Sequence, residues 1–342
     1  MRRLVKWFSF SLTAMLVLVT AACSSEPETS STEASAEGEK IEINLAYGNQ
    51  PGEPIDKLAN KWKELAAEKS GGQIELKLFP SSQLGSEKDV VEQATMGNNV
   101  IVMAGYDFLM DYVPDAGILT APYLTDSIDD LIYLTETDWF KNDITKALND
   151  KGIEIVQGNT VYGERHLLTN KKVETPDDLK GMKIRVPNNQ MSIATFEALG
   201  ATATPTPLGD LYTSLQQGLI DGAENPLPVL QGVKAQEVSK ELSLTGHQRF
   251  ITSWIGGKSF IDTLPEDAVK ILKETGDEAA KYARGVLEEE NDKVLAAFKD
   301  QGVTIHEVDV EPFKEKVQGV YEKFPQWSPG LYEKIQDELA KH

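Results

Sequence analysis

The chain has 342 residues, 40% of them apolar, with 54 Asp and Glu against 34 Lys and Arg and a formal charge of −20. That length accommodates about two globular domains, each with its own core. The acidic balance excludes electrostatic binding to nucleic acid or to anionic lipid, and one cysteine excludes a disulfide framework.

The N-terminus, MRRLVKWFSFSLTAMLVLVTAAC, has a basic start, an apolar run from Trp7 to Ala22 and small residues at its end, the pattern of a secretory signal over residues 1–22. Cys23 follows Ala21-Ala22 as in a bacterial lipobox, although Thr20 stands where an aliphatic residue is usual. A residue at the end of a signal has no core to enter, so we expect lipidation of Cys23, two or more acyl chains and a stable membrane anchor. Residues 23–40 are rich in Ser, Thr, Glu and Ala and read as a disordered tether spanning roughly 20–25 Å. Removing residues 1–22 takes away Arg2, Arg3 and Lys6 and no acid, which moves the formal charge from −20 to −23. An anionic ligand of such a body needs a local cation, because salt screens the net field within roughly 8–10 Å and a contact pair far less.

In the folded body, IEINLAYG (41–48) alternates as a strand, and residues 53–70 place Ile55, Leu58, Ala59, Trp62, Leu65 and Ala66 on one helical face. IELKLF is a second strand, EKDVVEQATMG a second helix and NVIVMAG a third strand. The order β-α-β-α-β predicts a mostly parallel sheet with helices on both faces. After a turn-rich region at 114–127 the pattern restarts with a helix over 129–149, then strands IEIVQG, ERHLLTN and KIRVP, and a helix over 190–199 ending at Gly200. Strand ATATP, a helix in GDLYTSLQQGLI, a loop DGAENP, a helix near 226–241 and an apolar strand pair in LSLTGHQRFITSWIGG complete a second α/β unit. From Pro265 to Gly302 apolar residues keep a helical period, predicting a helix of roughly 50 Å that spans both units, with Gly276 and Gly285 as candidate kinks. The chain then divides into domain I, 41–161 with 250–290, and domain II, 162–249 with 291–342, around a cleft.

No catalytic centre assembles from motifs. His166, His247, His306 and His342 lack metal-ligand spacing, GGKS at 256–259 has Thr252 where a phosphate loop needs glycine, and no GxSxG occurs. Glu288-Glu289-Glu290 reads as a solvated helix face and Asp177-Asp178 as a turn or cap. We therefore expect no enzyme, no cofactor and no metal. Arg165, Arg185 and Asn225 each lie close to a turn and can face one crevice, although each alone has an ordinary explanation as an ion pair or a turn residue. In the first unit Asn49, Glu87 and Tyr106 follow strands or open helices on the side where such sheets take ligands, with turn or cap roles as the alternative.

The runs FPSSQLGSEKDVVEQ, TPDDLKGMKIRVP and EALGATATPTPLGDLYTSLQQGLIDGAENP, in that order, resemble the solute-binding proteins of tripartite ATP-independent periplasmic (TRAP) transporters over most of residues 41–342. The resemblance implies a two-domain periplasmic-binding-protein-like α/β fold, with two mixed, mainly parallel sheets, a cleft between them and a long bridging helix. It matches Arg185 to the arginine that grips a ligand carboxylate, Arg165 to a second polar or cationic contact and Asn225 to the amide that completes the grip. A guanidinium suits that task because its parallel donors fit two carboxylate oxygens and its charge survives burial. Lys183, on the same strand, is expected to be solvated.

Leu208 and Ala223 depart from the pattern, where many relatives carry an aromatic residue and a glutamine. The implied function is a monomeric, lipid-anchored, extracytoplasmic receptor that binds a small carboxylate and delivers it to the small and large TRAP membrane subunits. A uronate or aldonate is the expected ligand and a four-carbon dicarboxylate the alternative. Hydroxyl-binding Asn, Gln and Glu opposite Arg185 would mark a sugar acid, and a second cation there a dicarboxylate. A ligand sensor for a membrane kinase differs only in partner, whereas a hydrolase of acidic sugars needs two carboxylates facing each other at roughly 5–10 Å.

Overall fold

The computed structural model describes residues 40–342. The signal segment, Cys23 and nearly all of the tether lie outside the described residues, and with them the expected lipidation. Nine strands are present among the described residues: β1 Ile41–Ala46, β2 Ile74–Phe79, β3 Val100–Gly105, β4 Ile153–Thr169, β5 Lys183–Val186, β6 Thr202–Pro205, β7 Gly222–Asn225, β8 Glu241–Gly257 and β9 Thr304–Glu307. They hydrogen-bond in the order β2-β1-β3-β8-β4-β7-β5-β6, with β9 beside β8. Parallel strands β2, β1 and β3 form one flank and β7, β5 and β6 the other. Both flanks meet the 17-residue β4 and β8 in antiparallel fashion, so the two expected sheets are continuous through this shared pair.

Apolar periodicity correctly locates the helices that cover the first flank. Helix Pro54–Lys69 buries Ile55, Leu58, Ala59, Trp62 and Ala66. The Trp62 indole donates to Leu272 O at 3.0 Å and meets Trp254 edge-on at 5.5 Å. The long helix is one uninterrupted element, Glu266–Asp300. Gly276 is no kink: a Cβ there would lie 3.0 Å from the Trp62 ring, so the glycine lets the two helices approach. Ala268, Leu272, Ala279, Ala280 and Ala283 pack into the apolar cluster of the first flank, while Val294 and Phe298 pack with Leu168, Leu211 and Leu242 on the second. One helix thus bridges both.

Five local expectations are corrected. The helix over 129–149 is instead Ile128–Glu136 followed by a π-turn, Phe140–Thr145, and Lys146–Asp150. Thr137 breaks it, its hydroxyl donating to Leu134 O and accepting from Phe140 N in place of backbone partners. IEIVQG and ERHLLTN belong to the single strand β4, because Gly158 and Asn159 sit at register shifts of the ladder with β8, not in a turn. LSLTGHQRFITSWIGG is likewise one strand. The helix near 226–241 shrinks to Leu227–Gly232 and a 3-10 turn, Ala235–Glu237. DGAENP is not a loop, since Gly222–Asn225 is the fully buried strand β7. Its acid and amide disguised it as a turn.

Candidate functional site

A cavity opens at the C-terminal ends of the parallel strands of both flanks, where sheets of this type take ligands. Asn49, Glu87 and Asp107 line it from the first flank, Tyr162, Arg165, Phe250 and Thr252 from the long strands, and Arg185, Leu208 and Asn225 from the second. It offers ≈ 90 Å³ to the centres of water-sized spheres. One ordered water needs only about 10–15 Å³, so the space fits a larger guest.

The two arginines differ in kind. Arg165 is 3% exposed, and its Nε and Nη2 donate to Glu224 Oε2 and Oε1 at 2.5 and 2.7 Å. Its guanidinium also lies 5.1 Å from the Phe250 ring centre. Burial works to lower its pKa, but the charge of Glu224 outweighs this and holds it above the ordinary value. Burial works to raise Glu224, and Arg165 outweighs that, holding the carboxyl at about 2. His247 Nε2 lies 3.2 Å from the same carboxylate, with Nδ1 2.8 Å from the Thr245 hydroxyl. Arg165 therefore has its counter-ion, the ordinary explanation for a buried arginine.

Arg185 has none. It is also 3% exposed, and its Nε donates to Thr206 O at 2.8 Å, which aims the guanidinium into the cavity. Among the described residues it forms no ion pair, and burial lowers it to about 10. The alternation in KIRVP explains the placement: Ile184 and Val186 enter the core on one face of β5, and Arg185 takes the other. Lys183 is exposed, as expected.

Opposite stand acceptors. Asn49 is fully buried, and its Nδ2 donates to Glu53 Oε2 at 2.6 Å, which fixes the amide and leaves Oδ1 without a partner. Glu87 accepts from Gly105 N at 2.7 Å; burial, then the charge of Asp107, raises its pKa. Asp107 is 1% exposed, raised by burial, and its Oδ1 has no partner. On the Arg185 wall, the buried Asn225 amide forms no side-chain hydrogen bond among the described residues. Lys88 is the other cation at this cavity, but it lies partly exposed 3.5 Å from Asp111.

Five of the six residues singled out from sequence, Arg185, Arg165, Asn225, Asn49 and Glu87, line this one cavity. Tyr106 does not. Its ring packs edge-on against Phe140, 5.7 Å away, and its hydroxyl donates to Gly158 O at 2.5 Å, so it is a core tyrosine. Its neighbour Asp107 takes the cavity position. An acid directly beyond the apolar strand VIVMAG was the available signal. Tyr162, Phe250 and Glu224 lie in strands and gave no such signal. Ala223 is buried in the second-flank cluster with Leu168 and Leu215, so this departure falls in the core, while Leu208 does reach the cavity.

Glu53 carries a pH-dependent load. Burial pushes its carboxyl up to about 8, against the hydrogen bonds from Asn49 and Gln50 N that favour the charged form. A raised folded-state pKa means that stability is fullest below the unfolded value near 4.5 and is lost as pH rises through about 8. Urea unfolding at pH 5 and pH 8 should show a difference that Glu53→Gln shrinks by about 1–3 kcal/mol. An unchanged difference would contradict this assignment.

Two flanks that share long strands and a bridging helix, with an uncompensated buried cation at the strand ends, define a solute-capturing binding protein. The profile of bacterial extracellular solute-binding protein family 7 (DctP) matches residues 45–326, and the chain belongs to this family, the solute receptors of TRAP transporters. It is a transport receptor and not an enzyme. It is similar to a TRAP periplasmic solute-binding protein from Ochrobacterium anthropi with bound L-fuconate, at 48% identity and a TM-score of 0.86, covering 88% of this chain and 99% of that one. A TRAP protein from Actinobacillus succinogenes with bound L-galactonate is 44% identical, with a TM-score of 0.87, covering 88% and 100%. The C4-dicarboxylate-binding periplasmic protein DctP of Rhodobacter capsulatus is 31% identical, over 80% of this chain and 82% of its own.

Proposed function

We propose that this receptor captures a sugar acid of the aldonate or uronate class, with Arg185 as the carboxylate clamp and Asn225 beside it. One observation carries the reading: a cation without a counter-ion on one wall faces polar and acidic side chains, Asn49, Glu87 and Asp107, on the other. A carboxylate answers the first and hydroxyl groups answer the second. A dicarboxylate would bring its far charge to a wall that offers it no free cation, since Glu87 and Asp107 are acids and Lys88 is drawn off by Asp111. The relatives with bound L-fuconate and L-galactonate support the same class. The hydrolase alternative loses support, because both acids that line the cavity, Glu87 and Asp107, stand on one wall.

In this reading domain I, 41–161 with 250–290, and domain II, 162–249 with 291–342, close over the ligand, and the closed form is presented to the TRAP membrane subunits. A lipidated Cys23 would keep the receptor at the membrane. A thermal-shift panel of L-galactonate, L-fuconate, D-galacturonate and succinate tests the ligand class, since a bound ligand raises the midpoint by mass action. The sugar acids should raise it by several degrees at millimolar concentration and succinate by less. Succinate giving the largest shift would reverse the assignment.

A further inference from the structure

Two carboxyl groups of the first flank meet at Gly105. Glu87, the first residue of helix Glu87–Thr95, accepts from Gly105 N at 2.7 Å through Oε1. Asp107 follows β3, and its Oδ1 lies 2.1 Å from where a Cβ on Gly105 would sit. The second oxygens differ. Asp107 Oδ2 accepts from Asn189 Nδ2 at 2.6 Å, whereas Glu87 is half-buried, lines the cavity, and its Oε2 forms no hydrogen bond among the described residues.

The charges around this pair are few. Arg165 of β4 is cancelled by Glu224 of β7, which His247 of β8 also contacts. Lys88, beside Glu87, pairs with Asp111 at 3.5 Å, and burial raises the pKa of the Tyr162 hydroxyl, which stays neutral. Among the described residues that leaves one uncompensated cation, Arg185 of β5, to offset two acids. Burial raises both carboxyls, and the charge of Asp107 raises Glu87 further, against the pull of Arg165 and Arg185. Two carboxyl groups that share a buried site do not readily ionise together.

We propose that the receptor captures its acid together with a proton, which the pair of Glu87 and Asp107 takes from the surrounding buffer. The ligand carboxylate neutralises Arg185 and so removes the one cation that offsets the pair. One proton restores the balance, leaving the pair with a single negative charge. On Glu87 Oε2, the oxygen not engaged by Gly105 N, that proton turns the residue into a hydrogen-bond donor to a ligand oxygen. An anion beside the pair raises its proton affinity in the bound state, so binding takes up protons. Affinity is then flat at low pH, where the free pair already holds its proton, and falls by at most about tenfold per pH unit as the free pair loses it. This inference rests on the carboxylate-clamp reading and deepens it.

The test is titration calorimetry with L-galactonate and D-galacturonate in buffers of different ionisation heat, from about pH 6 to pH 9. Sugar acids are ionised throughout that range, so the protons counted are the protein's. Wild type should take up about 0.5–1 proton per ligand at its maximum. Glu87→Gln, which keeps an oxygen for Gly105 N, and Asp107→Asn should each take up less than half as much and flatten the pH profile. Glu53→Gln, which removes the other raised carboxyl near the cavity, should keep the wild-type count. Uptake below about 0.2 proton in wild type across the range, or uptake unchanged in both Glu87→Gln and Asp107→Asn, overturns the proton inference alone when Arg185→Ala fails to bind. Uptake abolished by Glu53→Gln overturns it as well, because the proton then belongs to Glu53. Normal binding by Arg185→Ala, or a wild type that binds neither acid, overturns the clamp and the inference together.

Discussion

Arg185→Ala lowers affinity for the captured acid by about 2–5 kcal/mol, roughly 30-fold to several thousandfold, without lowering the stability of the ligand-free protein. Both halves of that expectation come from the missing counter-ion. When the cleft closes on a carboxylate, the guanidinium and the anion are desolvated together, and removing one leaves the other buried and uncompensated. Without ligand the situation inverts: Arg185 is buried and, among the described residues, its side chain is held only by Thr206 O, and burial has already lowered it to about 10. Removing a charge in that state relieves a cost, so the midpoint of thermal unfolding should stay or rise. Arg185→Lys keeps the charge but loses the fork, and should fall between wild type and alanine in affinity.

Glu224→Ala has the opposite signature. It strands Arg165, which is 3% exposed and makes its ion pair with Glu224, and it deprives His247 of an acceptor. Breaking a buried pair by removing one partner costs about 3–5 kcal/mol, a large part of the stability of an ordinary domain. Chemical unfolding should register that loss directly in the absence of ligand. A Glu224→Ala protein within about 1 kcal/mol of wild type would mean that Arg165 has found another counter-ion. The contrast separates two arginines that look alike in sequence: one pays in folding, the other in binding.

Much of this arrangement is legible in the sequence. The alternation in KIRVP placed Arg185 opposite a core face, the periodicity from 265 to 302 gave the bridging helix, and the DGAENP run marked Asn225. What escaped was long-range. β4 and β8 were split because Gly158, Asn159 and Gly246 carry the composition of turns, and only the pairing of the two strands turns those residues into ladder irregularities. The ion pair of Arg165 joins residues 59 positions apart, so no local pattern announces it. Tyr106 and Asp107 both follow the same strand end, and one residue of rotation decides that Tyr106 enters the core and Asp107 the cavity.

Titration calorimetry of wild type, Arg185→Lys and Arg185→Ala with the acid that gives the largest thermal shift tests the central claim most directly. Wild type should show saturable 1:1 binding, the lysine variant an intermediate affinity and alanine a loss of at least 30-fold, with unfolding midpoints no lower than that of wild type. An alanine variant that binds within about threefold of wild type, under 1 kcal/mol, would contradict it and return Arg185 to the ranks of ordinary buried arginines.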